Sequence, residues 1–527
     1  STMTFFRLLH FVTFRPNHQL TGLPLLCLLW LTACIAGPTR PIVDFHSSTD
    51  RQRHLLIVLD GLRPDYVTPE LMPNLHALGK RGVVFGNHHA VFPTVTRVNA
   101  ASISTGAYPE THGLLGNSVY FPAVDESRFL DTGDRKNLLS VEQTEPHGLL
   151  TAPTLGEQLH NVGLSLLVVS AGSTGSSYLL NHTVAGGGII HYDYTLPTNL
   201  MNEVARRNGN VPPADTPNDA RNRYVIDAFF QVGIPRINPD VTIMWLSEPD
   251  ASAHAHGIGH PITQDSLARL DDQLREIQER LETIGWSEHL NIWVTSDHGF
   301  STHTGGVQLD QLLAPFNGTL EDGSPRIVAR SGAIYVRDGD QDTVTKIVSS
   351  LQSSPKVGAI FTRGLKHENL HEGSVPGTLS FKLARWQHAR GADILFSGNW
   401  TGGENEFGYP GKSAQNGVAG HGSSSPFDIH NTLIAAGPLL KSGITTDLPT
   451  GNVDFSPTLL SLLGVPIPDS MQGRVLSEAF LDGPEAVAVK STVHRVQSQD
   501  GLYQLKASIS DVDGHSYLDY TKVERQN

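Results

Sequence analysis

The sequence predicts an α/β protein: a mostly parallel central sheet flanked by helices, with its chemistry gathered at the strand ends. Three observations carry that prediction. Short apolar runs recur and each stops at a carboxylate: "HLLIVLDGLRPDYV" at Asp60-Gly61, "VTIMWLSEPD" at Asp250 and "LNIWVTSDHG" at Asp297-His298. A run apolar on both faces is what a buried parallel strand needs, because helices cover both sides of the sheet. Between the second and third runs, Leu267, Leu270, Leu274, Ile277, Leu281 and Ile284 alternate spacings of three and four, marking an amphipathic helix packed on the sheet. A further run, "SLLVVSAGSTG", ends in a loop of small residues. Strand, helix, strand is the crossover unit of such a sheet.

In chain order, residues 1–40 read as an export segment. Arg7 and Arg15 precede "LPLLCLLWLTACIAG" (residues 23–37), which matches a secretory apolar region and is too short and proline-marked for a membrane span. Within it, "LTAC" (Leu31–Cys34) is similar to a bacterial lipoprotein signal. The expected destination is therefore periplasmic, secreted or membrane-anchored, with Cys34 as an N-terminal lipid anchor; the alternative is a plain cleaved signal or a simple N-terminal anchor. Residues 51–475 read as the core domain, interrupted at about 363–420 by a stretch rich in Gly, His, Asn and Glu that is expected to be irregular and lid-like. Residues 476–527 alternate polar and apolar side chains around glycine turns and are expected to form a small C-terminal β appendage.

Composition narrows the function. The 527 residues carry a formal charge of −14, which argues against a nucleic-acid surface and demands a locally positive pocket for any anionic substrate. Metal is one way to supply it. The two cysteines, Cys27 and Cys34, both fall in the export segment, so the body of the chain has neither a disulfide framework nor a thiolate metal site. Asn181, Asn317 and Asn399 open glycosylation sequons, but about three are expected by chance at this length.

Four acid and histidine clusters remain: Asp60; Asp250 with His254; Asp297 with His298; and His421 in "AGHGSSS". Each alone is weak, since a strand-terminal Asp is often a cap and most histidines of "HAHGIGH" are bystanders. Together they offer three carboxylates and three imidazoles at the strand ends of one sheet, a donor set for two divalent ions. Asp250 and His254 are one helical turn apart and share a face. Two such ions about 4 Å apart clamp the attacking and leaving oxygens of a displacement at phosphorus and stabilise a coordinated alkoxide. That makes the two threonines of "FPTVTRVNAASISTG", placed at a strand-to-helix turn, candidates for both helix capping and chemistry.

The ordered motifs "LDGLRPD", "FPTVTRVNAASISTGAYPETHGLLGN", "EPDASAHAHG", "TSDHGF", "AGHG" and "DFSPTLLSLLGVPIPDSMQGR" resemble the nucleotide pyrophosphatase/phosphodiesterase family of the alkaline phosphatase superfamily over residues 54–475. The resemblance implies an alkaline-phosphatase-like core and two zinc ions per chain, one held by Asp250, His254 and His421, the other by Asp60, Asp297, His298 and the Thr96 hydroxyl. It implies Thr96 as nucleophile, forming a phosphothreonine that water then hydrolyses, with Thr94 as a structural neighbour and Asn117 donating to a phosphate oxygen. It therefore implies an exported phosphodiesterase or nucleotide pyrophosphatase acting on a small-molecule phosphodiester or nucleotide. A phosphate monoesterase or phosphonate hydrolase on the same two-metal core is the alternative; a sulfatase is disfavoured because the nucleophile lacks its Cys/Ser-x-Pro-x-Arg context. One departure concerns the substrate. Animal members follow the nucleophile with Phe-Pro-Asn, whereas this chain has Arg97-Val98-Asn99, so Arg97 either binds a second anionic group of the substrate or pairs with a surface acid. Tyr192 and Tyr194 in "HYDYTLP" are the candidates for a nucleobase clamp.

Overall fold

The central element is a nine-stranded sheet in a computed structural model that describes residues 51–366, 369–485 and 487–526. The export segment, with Cys27 and Cys34, lies outside the described residues. The sheet's strands are Arg53–Leu59 (β1), Val83–Phe85 (β2), Leu166–Ser170 (β3), Gly188–His191 (β4), Thr195–Leu196 (β5), Val241–Leu246 (β6), Leu290–Thr295 (β7), Leu433–Ala436 (β8) and Ile444–Thr446 (β9). Their order is β9-β2-β8-β7-β1-β6-β3-β4-β5. The run β7-β1-β6-β3-β4 is entirely parallel, and the edges carry the antiparallel pairs. Six of the seven β1 residues and all six of β6 are buried, which explains why these strands read as unbroken apolar runs.

Register decides where the polar residues go. Val58 of β1 pairs with Thr295 of β7, and Leu59 with Leu246 of β6, so the three chains leave the sheet at one edge. Asp60, Asp250 and Asp297 are the residues just beyond.

Three helices matter for the site: Thr96–Thr105 (α1), Asp250–His256 (α2) and Pro261–Thr283 (α3). Leu267, Leu270, Leu274, Ile277 and Leu281 of α3 are buried, while Arg275 pairs outward with Asp272 and Glu279. Ile284 departs from the expected stripe. It lies just past the helix end and is exposed, because the helix stops before its turn would bring that position back to the core.

The segment expected to be irregular carries strands instead. Residues 364–366, 369–373, Leu379–Ser380 and Ile394–Gly398 join Ile327–Arg330, Ala333–Val336 and Val357–Thr362 in a seven-stranded sheet. Trp400–Glu404, Pro410–Ser413 and Ala419–Gly420 form another with Ser301–His303. The strands within residues 363–420 are two to five residues long and several contain glycine, so they show no period-two pattern over a useful window.

The C-terminal residues form a three-stranded antiparallel sheet, Val489–Gln497 (β10), Tyr503–Val512 (β11) and His515–Arg525 (β12). It is bound in rather than appended. The Tyr517 hydroxyl donates to Asp454 at 2.8 Å and that of Tyr503 to the Gly358 carbonyl at 2.7 Å. Among the described residues, no helix is long and apolar enough to cross a membrane.

Candidate active site

The strand-end carboxylates meet in the fold. Asp60 accepts the Trp245 indole N–H on Oδ2 at 3.0 Å, and Asp297 accepts the Gly61 backbone N–H on Oδ1 at 3.1 Å. Gly61 is required here: its φ is 71°, and a Cβ would lie 3.0 Å from the Phe300 ring. The Asp250 backbone N–H donates to the Asp60 carbonyl, tying the start of α2 to the end of β1.

The imidazoles arrive in matching orientation. His254 Nδ1 lies 2.9 Å from the Ala419 carbonyl, His298 Nδ1 2.8 Å from that of Gly299, and His421 Nδ1 2.8 Å from that of Thr94. A carbonyl only accepts, so each Nδ1 holds a proton and each Nε2 is the ring nitrogen turned inward, free to offer a lone pair once a metal replaces its proton. Those Nε2 atoms face carboxylates: His298 is 2.9 Å from Asp297, 3.4 Å from Asp60 and 3.9 Å from Asp250, while His254 and His421 are 3.2 and 3.4 Å from Asp250.

This arrangement fits a metal centre. One oxygen of each carboxylate, Asp60 Oδ1, Asp250 Oδ1 and Asp297 Oδ2, is buried without a hydrogen-bond partner, and buried acceptors are rarely left so. Asp60, Asp297 and His298 form one group with ligand atoms within 4.8 Å of one another, and Asp250, His298 and His421 another; His254 reaches Asp250 from the cavity side. Burial, then the charges of Asp297 and Asp250, push the Asp60 carboxyl well up. Asp250 is held well down, since His254 and His421 outweigh its burial. Burial and His298 lower His421 to about 4, whereas His254, whose burial is outweighed by Asp250, rises to about 9. Carboxylates this crowded need cations to stay ionised together.

Thr96 stands at the centre of this set. Its Oγ1 is 3.3 Å from His298 Nε2. It is the first residue of α1, and the cap position belongs to Val95, which makes no side-chain cap, so the capping role expected of the threonines is not taken up. Thr94 instead donates to the Ser423 carbonyl at 2.7 Å and accepts the Gly422 N–H, holding the His421 loop. Asn117 does the capping: its Oδ1 accepts the Arg97 backbone N–H at 3.0 Å. The "DFSPTLLSLLGVPIPDSMQGR" motif buttresses the far end of α1, where the Ser456 hydroxyl donates to the Ile103 carbonyl and the Gln472 N–H to that of Gly106.

Arg97 pairs with an acid. Its guanidinium donates to Asp131 at 3.2 Å and to the Asn117 carbonyl at 3.4 Å. Tyr192 and Tyr194 are occupied elsewhere, the first under the Arg221 guanidinium at 4.4 Å, the second donating to the Thr174 carbonyl. The other histidines of "HAHGIGH" are bystanders: His256 stacks on His260, whose side chain caps α3.

A cavity of about 460 Å³ opens beside the cluster, and its lining includes Asn117, His254 and His421 as well as Tyr335, Trp386 and Phe396. Neither Tyr192 nor Tyr194 lines it. The three aromatic residues were not foreseen, because nothing local distinguishes them from core residues of the inserted sheet. Trp245 was likewise missed; its only signal is that it lies in the strand that ends at Asp250.

The human bis(5'-adenosyl)-triphosphatase ENPP4 is 28% identical over 296 residues, 53% of this chain and 54% of that protein. Human ectonucleotide pyrophosphatase/phosphodiesterase family member 1 is 27% identical over 251 residues, 46% and 23% of the two chains. The chain thus spans about half the length of the first curated relatives it matches. A mutant of alkaline phosphatase PafA superposes with a TM-score of 0.60 at 17% identity, over 82% of this chain and 100% of that one. An inactive variant of murine ENPP5 in complex with AMP gives 0.55, also at 17%, over 79% and 96%. These structures establish the alkaline-phosphatase-like fold. The model of the type I phosphodiesterase / nucleotide pyrophosphatase family matches residues 54–395, well over half of the chain and every strand-end residue above except His421, and the chain belongs to that family.

Proposed function

We propose that this protein is an exported, two-zinc phosphodiesterase of the nucleotide pyrophosphatase type that cleaves a small-molecule phosphodiester or pyrophosphate through a phosphothreonine at Thr96. The observation that carries the reading is the convergence of three unpartnered carboxylate oxygens and three imidazole Nε2 atoms beside one threonine hydroxyl. Asp60, Asp297, His298 and Thr96 would hold one ion and Asp250, His254 and His421 the other. When bound, the ions lower the acidity barrier of the hydroxyl and neutralise charge on the attacking and leaving oxygens.

The chain's own residues do the rest. Thr96 Oγ attacks phosphorus in line, the bond to the leaving oxygen breaks, and water then attacks the phosphothreonine, releasing a phosphate product and restoring the hydroxyl. Asn117 has its Oδ1 committed to Arg97, which leaves Nδ2 as the donor it offers to a phosphate oxygen. The N-terminal end of α1 adds favourable potential for the same anion. Arg97, paired with Asp131, shapes the wall beside the nucleophile.

The cavity favours a diester over the monoester or phosphonate alternative. None of its lining residues is lysine or arginine, so nothing there meets the second charge of a monoester, whereas Tyr335, Trp386 and Phe396 suit an uncharged or aromatic organic group. Thr96→Ala, assayed on a nitrophenyl phosphodiester, is expected to lose about 10³-fold or more in turnover while still binding zinc. Turnover equal to wild type would refute the nucleophile, and a preference for the monoester of the same leaving group would favour the alternative. N-terminal mass analysis of the mature protein tests export and lipidation at Cys34.

A further inference from the structure

A second group of ligating side chains lies outside the strand-end centre, where the C-terminal sheet meets the core. His89, His430 and Asp519 bring one ligand atom each within 4.8 Å of the others. His89 and His430 sit opposite each other on two short antiparallel strands, and Asp519 projects from β12. His89 is buried and the other two are half-buried.

The hydrogen-bond accounting at His89 is incomplete without a positive centre. Its Nδ1 lies 2.8 Å from the Thr450 carbonyl, so Nδ1 carries a proton and, in the neutral ring, Nε2 keeps a lone pair. That lone pair meets Oδ1 of Asp519 at 2.9 Å, a second acceptor. Ser510 donates to both Asp519 oxygens and Ser508 to Oδ2, which fixes the carboxylate in this position. Two acceptors in contact need either a second ring proton or a cation between them.

His430 tips the choice. Its ring lies 4.7 Å from that of His89, opposite it across the strand pair, and its ligand atom falls within 4.8 Å of those of His89 and Asp519. A protonated His89 needs no second imidazole, whereas a metal ion does. Two imidazoles and a carboxylate are a zinc donor set, and a carbonyl on the far ring nitrogen is how metal-binding histidines are oriented.

We propose that His89, His430 and Asp519 form a structural zinc site that clips the C-terminal sheet to the core, separate from the proposed catalytic pair. A tetrahedral ion with bonds of about 2.0–2.1 Å spaces its ligands about 3.3 Å apart, so the His89 to Asp519 contact opens slightly to admit it, with water as fourth ligand.

The test uses the zinc-loaded full chain after dialysis, with metal counted by mass spectrometry and located by zinc-edge anomalous diffraction. The expected result is one zinc beyond the catalytic pair in wild type, an anomalous peak between His89 and Asp519, and one zinc fewer in both His430→Gln and Asp519→Asn with diesterase turnover retained. No peak at that position in wild-type crystals, or variants holding as much zinc as wild type, overturns the proposal. Because the variants leave the Thr96 centre intact, this outcome is independent of the catalytic reading.

Discussion

The strand-end cluster and the rest of the cavity lining beside it are built by different rules. The first is the edge where β7, β1 and β6 stop: Asp297 and His298 are fully buried, their neighbours are fixed by main-chain hydrogen bonds, and the geometry follows from strand register. The other part is lined by Tyr335 and Phe396, from strands of the sheet inserted between β7 and β8, and by Trp386, from the connection between two of its strands. The difference teaches a division of labour. Residues whose position is dictated by the central sheet can hold ligand atoms to fixed distances, while the inserted segment can vary without disturbing them; under the proposed function, it is there that the organic part of a substrate is chosen.

That division can be broken by experiment. Asn117→Ala is expected to reduce kcat by about 10²–10³-fold for every substrate, the usual cost of one donor to a developing oxyanion. A loss that varied with the organic group would dissolve the distinction. Trp245→Phe removes the indole donor to Asp60 and is expected to weaken zinc binding by about 10–100-fold in chelator competition, with turnover restored by excess zinc; unchanged affinity would mean that β6 does not support the centre. Phe396→Ala, in the other part of the lining, is expected to raise KM about tenfold for a diester with an aromatic group, about 1.4 kcal/mol, at unchanged kcat. A fall in kcat would place this part in the chemistry. The smallest effect is expected from Asp131→Asn, which removes an ion pair whose carboxylate is 63% exposed: less than about 1 kcal/mol in denaturant-measured stability and no change in KM. A KM change confined to substrates with a second anionic group would instead put Arg97 on the substrate.

His89 shows the same inward Nε2 geometry as the histidines of the strand-end centre, but its carboxylate differs. Asp519 has both oxygens served by serine hydroxyls, whereas Asp60, Asp250 and Asp297 each leave an oxygen unpartnered. The first can be satisfied by a single positive centre; the second demands several charges.

Much of the core was legible because buried parallel strands and a long amphipathic helix write their periods plainly, as β1, β6, β7 and α3 do. The candidate site was legible for a related reason: a carboxylate at the end of an apolar strand has few structural excuses, and Asp60, Asp250 and Asp297 shared that position. The inserted sheet was not, since its two- to six-residue strands carry too few alternations to be told from loop. Nor was the capping arrangement at α1, where a threonine at the turn suggested a cap that Asn117, twenty residues on, provides instead.

What the sequence by itself determined is therefore local and periodic: which segments are strands, which helix covers them, and which residues stand at strand ends. Only the tertiary structure decided the relations among distant segments. It paired β1 with β7 and β6 so that three carboxylates share one edge, supplied the carbonyls of Thr94, Gly299 and Ala419 that turn each imidazole, and brought Phe396 and Asp519 from far along the chain to their neighbours. The physical reason is that periodicity encodes which face of an element is buried, whereas pairing and contact between remote elements depend on the packing of the whole core, which no short window of sequence contains.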